Sequence, residues 1–452
     1  METIKGVLES VKTILGPQRI VPGKFVPSIF NYVLNNGSSF LVYNTFTRSL
    51  ISLDSNEIAP LKDGIHVVEA DSLPMELRSL IEDRFFVHSD YDETEIYKSI
   101  FDIINDYDYS DYVNNYTILT TTGCNARCFY CFEADFKPIS MLPETAKSVG
   151  EYIIAHCNGK HVFLHWFGGE PLCNTPAIDI ISQTLFEAGV SFTSSITSNG
   201  LLFNDTIIDK AKHLWNLTSA QVTLDGYSEE HNRRKNFKGN CDDPFKSILT
   251  NIQKLLDTEI LVNIRINFDK QNIPSVDALI DYLISKFEGN IRVSVSPTIL
   301  YENCSAWNAE RKEGEQEFLR SKLVKYRDIL ETSSLYRKRK VTYKFLKNYC
   351  GANGKHFLTI NPDGRFSVCH NYSDQCTYGS VFDGIDNSEL YDSWKKVSSI
   401  RPKCQKCKWL PDCTPYAMCP IKKSDCYEER EDITTRQMLG EYKKWKSKKD
   451  TE

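Results

Sequence analysis

The chain has 452 residues, of which 41% are hydrophobic and 25% charged, and its formal net charge is −6. This length predicts roughly two to four domains, and the negative charge argues against a dedicated nucleic-acid binder. No run of about 18 apolar residues occurs, so we expect no membrane-spanning helix. The opening segment "METIKGVLESVKTILG" predicts an amphipathic helix without the apolar centre of a signal peptide. We therefore expect a cytoplasmic protein without a nucleic-acid or membrane partner.

Residues 1–105 are expected to form a separate module. The run "NYVLNNGSSFLVYNTFTRSLISLD" predicts two or three short strands joined by turns. Helical patterns follow in "SLPMELRSLIEDRFF" and "ETEIYKSIFDIIND". A short sheet followed by helices fits a small winged-helix-like module, and a simple extension packed on the main domain fits equally well.

Residues 112–310 alternate between strand-like and helical runs. The strands are expected in "YTILTTT", "HVFLHWF", "SFTSSITS", "AQVTLD", "ILVNIRINF" and "IRVSVSP". Five helical runs separate them, beginning with "PETAKSVGEYIIAHC" and ending with "SVDALIDYLISKF". Six strands with intervening helices predict βαβ units, a parallel sheet and the α/β fold class.

Unusual residue combinations follow these strands. "CNARCFYC" follows the first strand, "GGEP" the second and "TSNG" the third, while "LDG" ends the fourth. Arg265 lies on the fifth strand. Function collects at the carboxyl ends of parallel strands, so we expect these groups to face one mouth.

The fifteen cysteines are unevenly distributed, since none precedes Cys124 and eight lie between Cys350 and Cys426. Residues 311–347 read as a charged helical connector, and residues 348–452 form a cysteine-rich end. Clustering of this kind in a compartment that keeps thiols reduced favours metal ligation. The isolated Cys157, Cys173, Cys241 and Cys304 are expected to be small buried hydrophobes.

Cys124, Cys128 and Cys131 place three thiols on one loop. Soft thiolates suit iron–sulfur clusters, and a [4Fe–4S] cube with three cysteines keeps one iron open for a ligand. A zinc site completed by a distant fourth ligand is the alternative.

CxxxCxxC after the first strand resembles the radical S-adenosylmethionine (SAM) superfamily. The resemblance implies a partial (β/α)6 TIM-like barrel, a [4Fe–4S] cluster that binds SAM, and reductive cleavage of SAM to a 5′-deoxyadenosyl radical. It also implies contacts to SAM: Tyr130 beside the adenine, Gly168, Gly169 and Glu170 at the amino group, Ser198 and Asn199 at the ribose, and Arg265 at the carboxylate. Asp225 is a candidate proton acceptor or ribose ligand, or only a turn former.

The cysteine-rich end resembles the SPASM extension, which carries two auxiliary [4Fe–4S] clusters. The resemblance assigns Cys404, Cys407, Cys413 and Cys426 to an outer cluster, and Cys350, Cys369 and Cys419 to an inner one. Five residues separate Cys413 from Cys419 where the family pattern has three. The inner cluster would be open unless Cys376 or Cys304 completes it. A zinc-ribbon-like tail is the alternative.

Together these features resemble thioether-forming peptide maturases of the sactipeptide or ranthipeptide type. The resemblance implies three [4Fe–4S] clusters, SAM, a reducing partner (flavodoxin or ferredoxin) and a ribosomally made precursor whose leader adds a strand to the N-terminal module. Anaerobic sulfatase maturation to formylglycine and carbon–carbon or ether crosslinking remain open. A non-catalytic iron–sulfur electron carrier or zinc scaffold is the alternative from another class.

Overall fold

A computed structural model describes residues 3–5, 16–67, 69, 71, 73–107, 112–134, 136–300, 314–336, 350–370, 376–395, 400–413 and 427–449. The chain divides into two compact units. The first unit contains residues 1–110, 341–354 and 392–452, and the second unit contains residues 111–340 and 355–391. Among the described residues, no helix is both long and apolar enough to cross a membrane.

The second unit is built on a ten-stranded sheet. Six parallel strands lie side by side in chain order: β8 (Asn115–Thr121), β9 (Val162–Gly168), β10 (Phe192–Ser198), β11 (Leu217–Leu224), β12 (Leu261–Phe268) and β13 (Val293–Ile299). Helices connect them: α4 (Pro143–His156), α5 (Thr175–Glu187), α6 (Asp205–His213), α7 (Glu229–Lys235), α8 (Pro244–Asp257) and α9 (Ile273–Phe287). The predicted α/β class with a large parallel sheet is therefore confirmed.

Four further strands extend this sheet beyond β8. They are β14 (Phe357–Ile360), β15 (Arg365–Ser367), β16 (Thr377–Ser380) and β17 (Gly384–Ile385). β14 pairs with β8 in parallel, and the other three continue as antiparallel neighbours. The connector expected over 311–347 contains α10 (Glu315–Thr332). Residues 337–347 of the connector lie outside the described residues.

The parallel strands have one aliphatic face and one polar face. Along β10 the buried residues Phe192 and Ile196 alternate with the half-buried Thr193, Ser195 and Thr197. The polar face continues on the other strands through Ser219, Gln221, Thr223, Asn263, Arg265, Ser294 and Ser296. The interior of a closed (β/α)8 barrel is usually filled by branched aliphatic residues. This face is instead polar and incompletely buried, so it is suited to a ligand.

The described residues of the first unit form two small sheets and two apolar cores. One sheet has the order β1 (Thr3–Lys5), β5 (Leu50–Leu53), β4 (Phe40–Asn44), β3 (Asn31–Asn35), and the other has β6 (Ile65–Val67), β2 (Gly23–Pro27), β7 (Phe86–His88). Its described helices are α1 (Pro60–Asp63), α2 (Met75–Glu82), α3 (Glu93–Tyr107) and α12 (Tyr427–Lys449). The helix α11 (Ser388–Lys395) begins in the second unit and ends in the first.

One core of the first unit joins the two ends of the chain. Tyr32 and Leu50 of the N-terminal sheet pack in one cluster with Trp409, Cys413 and Met438. The compact unit therefore crosses the expected boundaries at residues 105 and 348. The physical reason is burial: a sheet of four short strands needs an apolar cover for its second face.

The opening residues differ from the sequence-based expectation. An amphipathic helix is predicted there, but Thr3–Lys5 form β1, which pairs antiparallel with β5. The backbone of β5 offers hydrogen-bonding groups at this edge, and an added strand satisfies them. The helix prediction is therefore wrong for these three residues, and residues 6–15 lie outside the described part of the chain.

Candidate active site at the carboxyl ends of the parallel strands

The cysteine loop, residues 124–131, directly follows β8. The side chains of Cys124, Cys128 and Cys131 are partly buried. The N–H of Arg127 donates to the carbonyl of Lys235 at 2.9 Å. The carbonyl of Asn125 accepts from the N–H of Lys238 at 2.7 Å. These bonds fix the loop to the end of α7 and to the segment that follows it.

Glu170 connects the ends of β9 and β10. Its carboxyl group is fully buried and accepts hydrogen bonds from Ser198 Oγ at 2.9 Å and from the N–H of Asn199 at 2.8 Å. A third bond comes from the N–H of Leu172 at 3.2 Å. Burial raises the pKa of Glu170 to about 7, although these donors and Lys235 favour the ionised form. The structure thus brings together three residues predicted to contact SAM.

Asn199 links the Glu170 hydrogen bonds to the cysteine loop. Its Nδ2 donates to Asn125 Oδ1 at 2.7 Å. The Nδ2 atom of Asn125 is itself buried and has no hydrogen-bond partner among the residues that the structure describes. A buried amide donor beside Cys124 is suited to an acceptor oxygen of a bound molecule.

The two glycines of "GGEP" are required by the protein's own packing. A Cβ on Gly168 would lie 2.1 Å from the carbonyl oxygen of Thr121, and its φ of +128° is unfavourable for other residues. A Cβ on Gly169 would lie 2.5 Å from the carbonyl oxygen of Gly123. The resemblance predicted that these glycines contact the amino group of SAM. In the structure, the end of β8 lies close to both glycines.

Tyr130 and Asp225 meet in a buried polar network. The Tyr130 hydroxyl donates to Asp225 Oδ2 at 2.5 Å. The Nζ of Lys235 lies 2.8 Å from the Tyr130 hydroxyl and 3.3 Å from Asp225 Oδ2. Asn267 Nδ2 donates to Asp225 Oδ1 at 3.3 Å. Because Asp225 is fully buried and already paired with an ammonium group, its geometry fits a positioning residue better than a free proton acceptor.

Lys235 and Asn267 belong to the site but were missed from the sequence. Burial lowers the pKa of Lys235, but the charges of Asp225 and Cys128 outweigh this effect and raise it overall. The signal for Lys235 was present in "HNRRK", on the helix that follows β11. Three adjacent basic residues usually indicate a solvated helix face, so sequence alone does not show that Arg234 and Lys235 are buried.

Arg265 lies on the polar face, in register with Thr223 of β11 and Ser296 of β13. Its Nε donates to Asn267 Oδ1 at 3.0 Å. The Asn267 side chain thus bonds both Arg265 and Asp225, and it links the guanidinium group to the Tyr130–Asp225 network. A planar, permanently charged fork at this position is suited to a carboxylate.

His165 is a second residue of the polar face that the sequence did not indicate. Its Nδ1 lies 2.8 Å from Ser195 Oγ, and its Nε2 lies 3.2 Å from Thr197 Oγ1. Burial lowers the pKa of His165 to about 4, and His370 contributes to the shift. The imidazole is therefore neutral at physiological pH and can exchange hydrogen bonds with a polar ligand.

A cavity of about 390 Å³ lies beside the cysteine loop. Asn125, Phe203, Lys238, Cys241 and Asn251 contribute to its wall. Its volume is that of a small-molecule site, and it mixes apolar, amide and basic groups.

The cysteine loop fits an iron–sulfur cluster by its donor chemistry. Burial raises the pKa of Cys124 to about 12 and also raises that of Cys128. Such thiols ionise only when an electropositive partner displaces their protons. In the described residues, no three His, Cys, Asp or Glu side chains are arranged to hold a single metal ion. A [4Fe–4S] cube takes its thiolates at separate corners, and three soft sulfurs on one short loop suit it.

The other cysteines divide between the units. Cys350, Cys404, Cys407 and Cys413 belong to the first unit, and Cys369 and Cys376 belong to the second. Cys304, Cys419 and Cys426 lie outside the described residues. Of the isolated cysteines, Cys157 is buried as predicted, but the prediction is wrong for Cys173. Cys173 is exposed on the 3-10 turn Pro171–Asn174, where its thiol faces the backbone of Asn125 in the cysteine loop.

Comparison with known proteins identifies the parallel-sheet region. The sequence profile of the radical SAM superfamily matches residues 118–283. The Fe-coproporphyrin III synthase of Methanosarcina barkeri (strain Fusaro / DSM 804) is 27% identical over 165 residues. That match covers 36% of this chain and only 39% of the length of the synthase.

Solved structures share the fold. The structure of native anSMEcpe with bound AdoMet and Cp18Cys peptide has a TM-score of 0.50 at 19% identity, covering 66% of this chain and 88% of that one. SuiB of Streptococcus suis bound to S-adenosylmethionine has a TM-score of 0.51 at 14% identity, covering 85% of this chain and 94% of that one. The sheet order, the cysteine loop and these matches agree. The chain therefore contains a domain of the radical SAM superfamily, which occupies residues 118–283.

Proposed function

We propose that the chain is a radical SAM enzyme that modifies a ribosomally made precursor peptide by joining a cysteine sulfur to carbon in a thioether crosslink. The observation that carries the proposal is the convergence of three strand-end groups. The cysteine loop, the Glu170–Ser198–Asn199 network and the Tyr130–Asp225–Lys235 network lie at one edge of one parallel sheet. A catalytic site of this fold class is expected at that edge.

The protein groups have distinct roles in this proposal. Cys124, Cys128 and Cys131 hold a [4Fe–4S] cluster. Tyr130, Glu170, Ser198, Asn199 and Arg265, with the backbone of Gly168 and Gly169, hold SAM, and Lys235 adds a buried positive charge. The bound cluster and SAM supply, on reduction, the 5′-deoxyadenosyl radical that removes a hydrogen atom from the substrate.

Asp225 acts through Tyr130 and Lys235 in this proposal. Its two carboxylate oxygens accept from Tyr130 and Asn267 and pair with Lys235, so it fixes the residue between the second and third cysteines of the loop. Its backbone is also fixed, because its carbonyl accepts from Asn272 Nδ2 at 2.7 Å. A rigid support of this kind preserves the geometry of the loop when a ligand binds.

Two auxiliary [4Fe–4S] clusters of the SPASM type complete the proposed enzyme, which makes three clusters in total. Cys404, Cys407, Cys413 and Cys426 would hold the outer one, and Cys350, Cys369 and Cys419 the inner one. Support comes from the spacing of the cysteines, and from the short loop that presents Cys404 and Cys407, where the N–H of Cys407 donates to the carbonyl of Cys404.

The remaining partners follow from the same proposal. The N-terminal residues of the first unit would bind the leader of the precursor peptide, and a flavodoxin or ferredoxin would supply electrons in the cytoplasm. Support for peptide binding comes from the edge strands that the two small sheets have among the described residues.

The first experiment tests the radical chemistry. Anaerobically reconstituted protein with SAM and dithionite should form 5′-deoxyadenosine, which liquid chromatography quantifies. Cys128→Ala should abolish this product and lower the iron content by one cluster. Cys157→Ala is the matched control, because Cys157 follows the end of α4 and lies outside the loop. Equal iron content and product in both variants would contradict the proposal, and so would absence of product from the unmodified chain.

The second experiment tests the thioether. The substrate is the short cysteine-containing peptide encoded beside the gene, and its product is analysed by tandem mass spectrometry after alkylation with iodoacetamide. A thioether loses two hydrogens and leaves the cysteine resistant to alkylation. A carbon–carbon or ether crosslink leaves the cysteine reactive, and formylglycine reacts with a hydrazide probe. A reactive cysteine in a crosslinked product would contradict the thioether and favour a carbon–carbon or ether crosslink. A hydrazide-reactive product would contradict the thioether and favour formylglycine.

A further inference from the structure

Lys235, the last residue of α7, contacts the cysteine loop with both its backbone and its side chain. Its carbonyl accepts from the N–H of Arg127 at 2.9 Å, and the Sγ of Cys128 lies 3.9 Å from the same oxygen. Its Nζ lies 2.8 Å from the Tyr130 hydroxyl and 5.5 Å from the centre of the Tyr130 ring. One lysine therefore contacts the loop residues on both sides of Phe129.

The ammonium group of Lys235 is a buried charge. Only 4% of its side chain is exposed, and its partner Asp225, 0% exposed, lies 3.3 Å away. Charges interact more strongly in such a region than in water, because the effective dielectric constant is low. Salt also screens buried charges less than exposed ones. Both charges of the pair therefore act on neighbouring groups over short distances with little screening.

The positive charge of this pair acts more strongly on the cysteine loop than the negative charge does. Burial raises the pKa of the Cys128 thiol, the charge of Lys235 opposes this increase, and the charge of Asp225 adds to it with a smaller effect. The interaction also acts on the lysine. Burial lowers the pKa of Lys235, but the charges of Asp225, Cys128 and Cys124 together raise it. The loop therefore experiences a net positive field from the pair.

Such a field affects more than the ionisation of a thiol. A [4Fe–4S] cluster gains one negative charge on reduction, because it takes up an electron without a proton. A nearby positive charge favours the more negative form of a group, whether that form is a thiolate or a reduced cluster. Net charge is one of the properties by which proteins set the reduction potential of these clusters.

We propose that the buried ammonium group of Lys235 raises the reduction potential of the [4Fe–4S] cluster held by the cysteine loop. The inference rests on the proposed function only in taking this loop as the cluster site. The electron comes from an external one-electron donor, and Lys235 stabilises the negative charge that this electron adds. A flavodoxin or ferredoxin of given potential thus reduces a larger fraction of the enzyme.

A redox titration followed by electron paramagnetic resonance tests the inference. The full chain is reconstituted anaerobically with iron and sulfide and is titrated with dithionite and redox mediators, without SAM or peptide. The signal that is absent from Cys128→Ala belongs to the cluster of the cysteine loop, and only this signal is followed. Its midpoint gives the ratio of reduced to oxidised cluster at any fixed potential.

Removal of the two opposite charges should shift this ratio in opposite directions. Lys235→Met should lower it about ten-fold or more, because one buried charge within a few ångströms shifts such equilibria by roughly one to three powers of ten. Ten-fold corresponds to about 59 mV for one electron. Asp225→Asn should raise the ratio, since the thiolates of the loop keep Lys235 protonated.

The double variant Asp225→Asn, Lys235→Met keeps the test valid if Lys235→Met alone does not fold. No unpaired charge of the pair remains in it. Its ratio should be about ten-fold or more below that of Asp225→Asn. The ratio should also lie below that of the native chain, because Lys235 acts on the loop more strongly than Asp225 does.

Two further variants separate charge from structure. Lys235→Arg keeps the charge and should restore the ratio to within about three-fold of the native value. Arg233→Gln is the matched control, because Arg233 lies on the same helix but is 63% exposed and pairs with Glu230. Solvent screens its charge, so the ratio should change by less than about two-fold.

Two results would overturn the inference. One is an unchanged ratio in Lys235→Met, or in the double variant when it is compared with Asp225→Asn. The other is a shift of the same sign in both single variants, which would indicate damage to the loop rather than loss of a charge. A failure of the radical or thioether experiments leaves these measurements unaffected. Absence of any signal that depends on Cys128 would instead overturn the cluster assignment on which both proposals rest.

Discussion

At the scale of single residues, the pair Asp225–Lys235 is the clearest charge feature of the site. Both side chains are almost fully buried, with 0% and 4% of their surface exposed, and the Nζ–Oδ2 distance is 3.3 Å. Removal of one partner leaves an uncompensated charge in a region of low dielectric. We expect Lys235→Met to destabilise the protein by about 3–5 kcal/mol, measured by chemical denaturation.

Two controls accompany this substitution. The double variant Asp225→Asn, Lys235→Met should recover much of the loss, because no unpaired charge remains. Lys212→Met removes an exposed ion pair with Glu259, where 38% and 66% of the side chains are exposed, and it should cost less than about 1 kcal/mol. A double variant less stable than Lys235→Met would show that the buried pair is not the cause.

His165 gives the site a predicted dependence on pH. Its folded-state pKa of about 4 lies below the usual value of 6.5 because burial disfavours the charged imidazolium. The unfolded chain therefore binds the proton more readily. The contribution of His165 to stability is fully present above about pH 6.5 and is lost as the pH falls toward 4.

His165→Gln isolates this contribution, because glutamine retains hydrogen-bonding groups but does not titrate. Between pH 7 and pH 4.5 the native chain should lose about 2–3 kcal/mol more unfolding free energy than the variant does. Urea denaturation at the two pH values provides the measurement. Parallel losses in both chains would mean that His165 is not held neutral by the fold.

At the scale of elements, Gly168 fixes how β9 ends against β8. Its φ of +128° and the predicted 2.1 Å contact of a Cβ with the Thr121 carbonyl make any side chain unfavourable. Since the obstructing atom belongs to the backbone, it cannot rotate away. We expect Gly168→Ala to lower the unfolding free energy by about 3 kcal/mol or more and to reduce iron retention by the cysteine loop.

Gly189 provides a matched control for that substitution. It also has a positive φ, +68°, but a Cβ there would have no atom within 4 Å. Gly189→Ala should therefore cost only about 1 kcal/mol, the backbone term alone, and should leave iron content unchanged. Similar effects of the two alanines would show that the close approach between β8 and β9 is not critical.

At the scale of the whole molecule, the first unit joins the N-terminal sheet to the C-terminal cysteine segment. The Trp409 side chain is 1% exposed and its ring lies 4.9 Å from that of Tyr32. Thr94 Oγ1 donates to the carbonyl of Gln405 at 2.7 Å, and Arg48 forms an ion pair with Asp412. Parts that share one core are expected to unfold together.

Trp409→Ala tests this coupling by creating a large cavity in the shared core. We expect a loss of about 3–5 kcal/mol, with faster hydrogen exchange in β3 and β4 and lower iron content in the same variant. Trp445→Ala on α12 is the control, because Trp445 is only half-buried and stacks on Tyr442. Loss of iron without faster exchange in the sheet would show that the two parts are independent.

The sequence alone determined the features that depend on local spacing. The alternation of strand and helix patterns predicted the parallel sheet, because side-chain periods of two and 3.6 reflect burial on one face. It also placed the cysteine loop, "GGEP" and "TSNG" at strand ends, since carboxyl ends of parallel strands meet at one edge. The resemblance of the cysteine loop to the radical SAM superfamily is confirmed over residues 118–283.

Only the tertiary structure decided which distant residues meet. Lys235 pairs with Asp225 because the end of α7 is hydrogen-bonded to the cysteine loop. Nothing in "HNRRK" distinguishes that lysine from the exposed Arg233. Likewise, the strand at Thr3–Lys5 forms because β5 offers an edge, against the helical pattern of the segment itself. Local sequence sets the propensity of a segment. The contacts that override this propensity come from residues tens to hundreds of positions away, and only the folded chain brings them together.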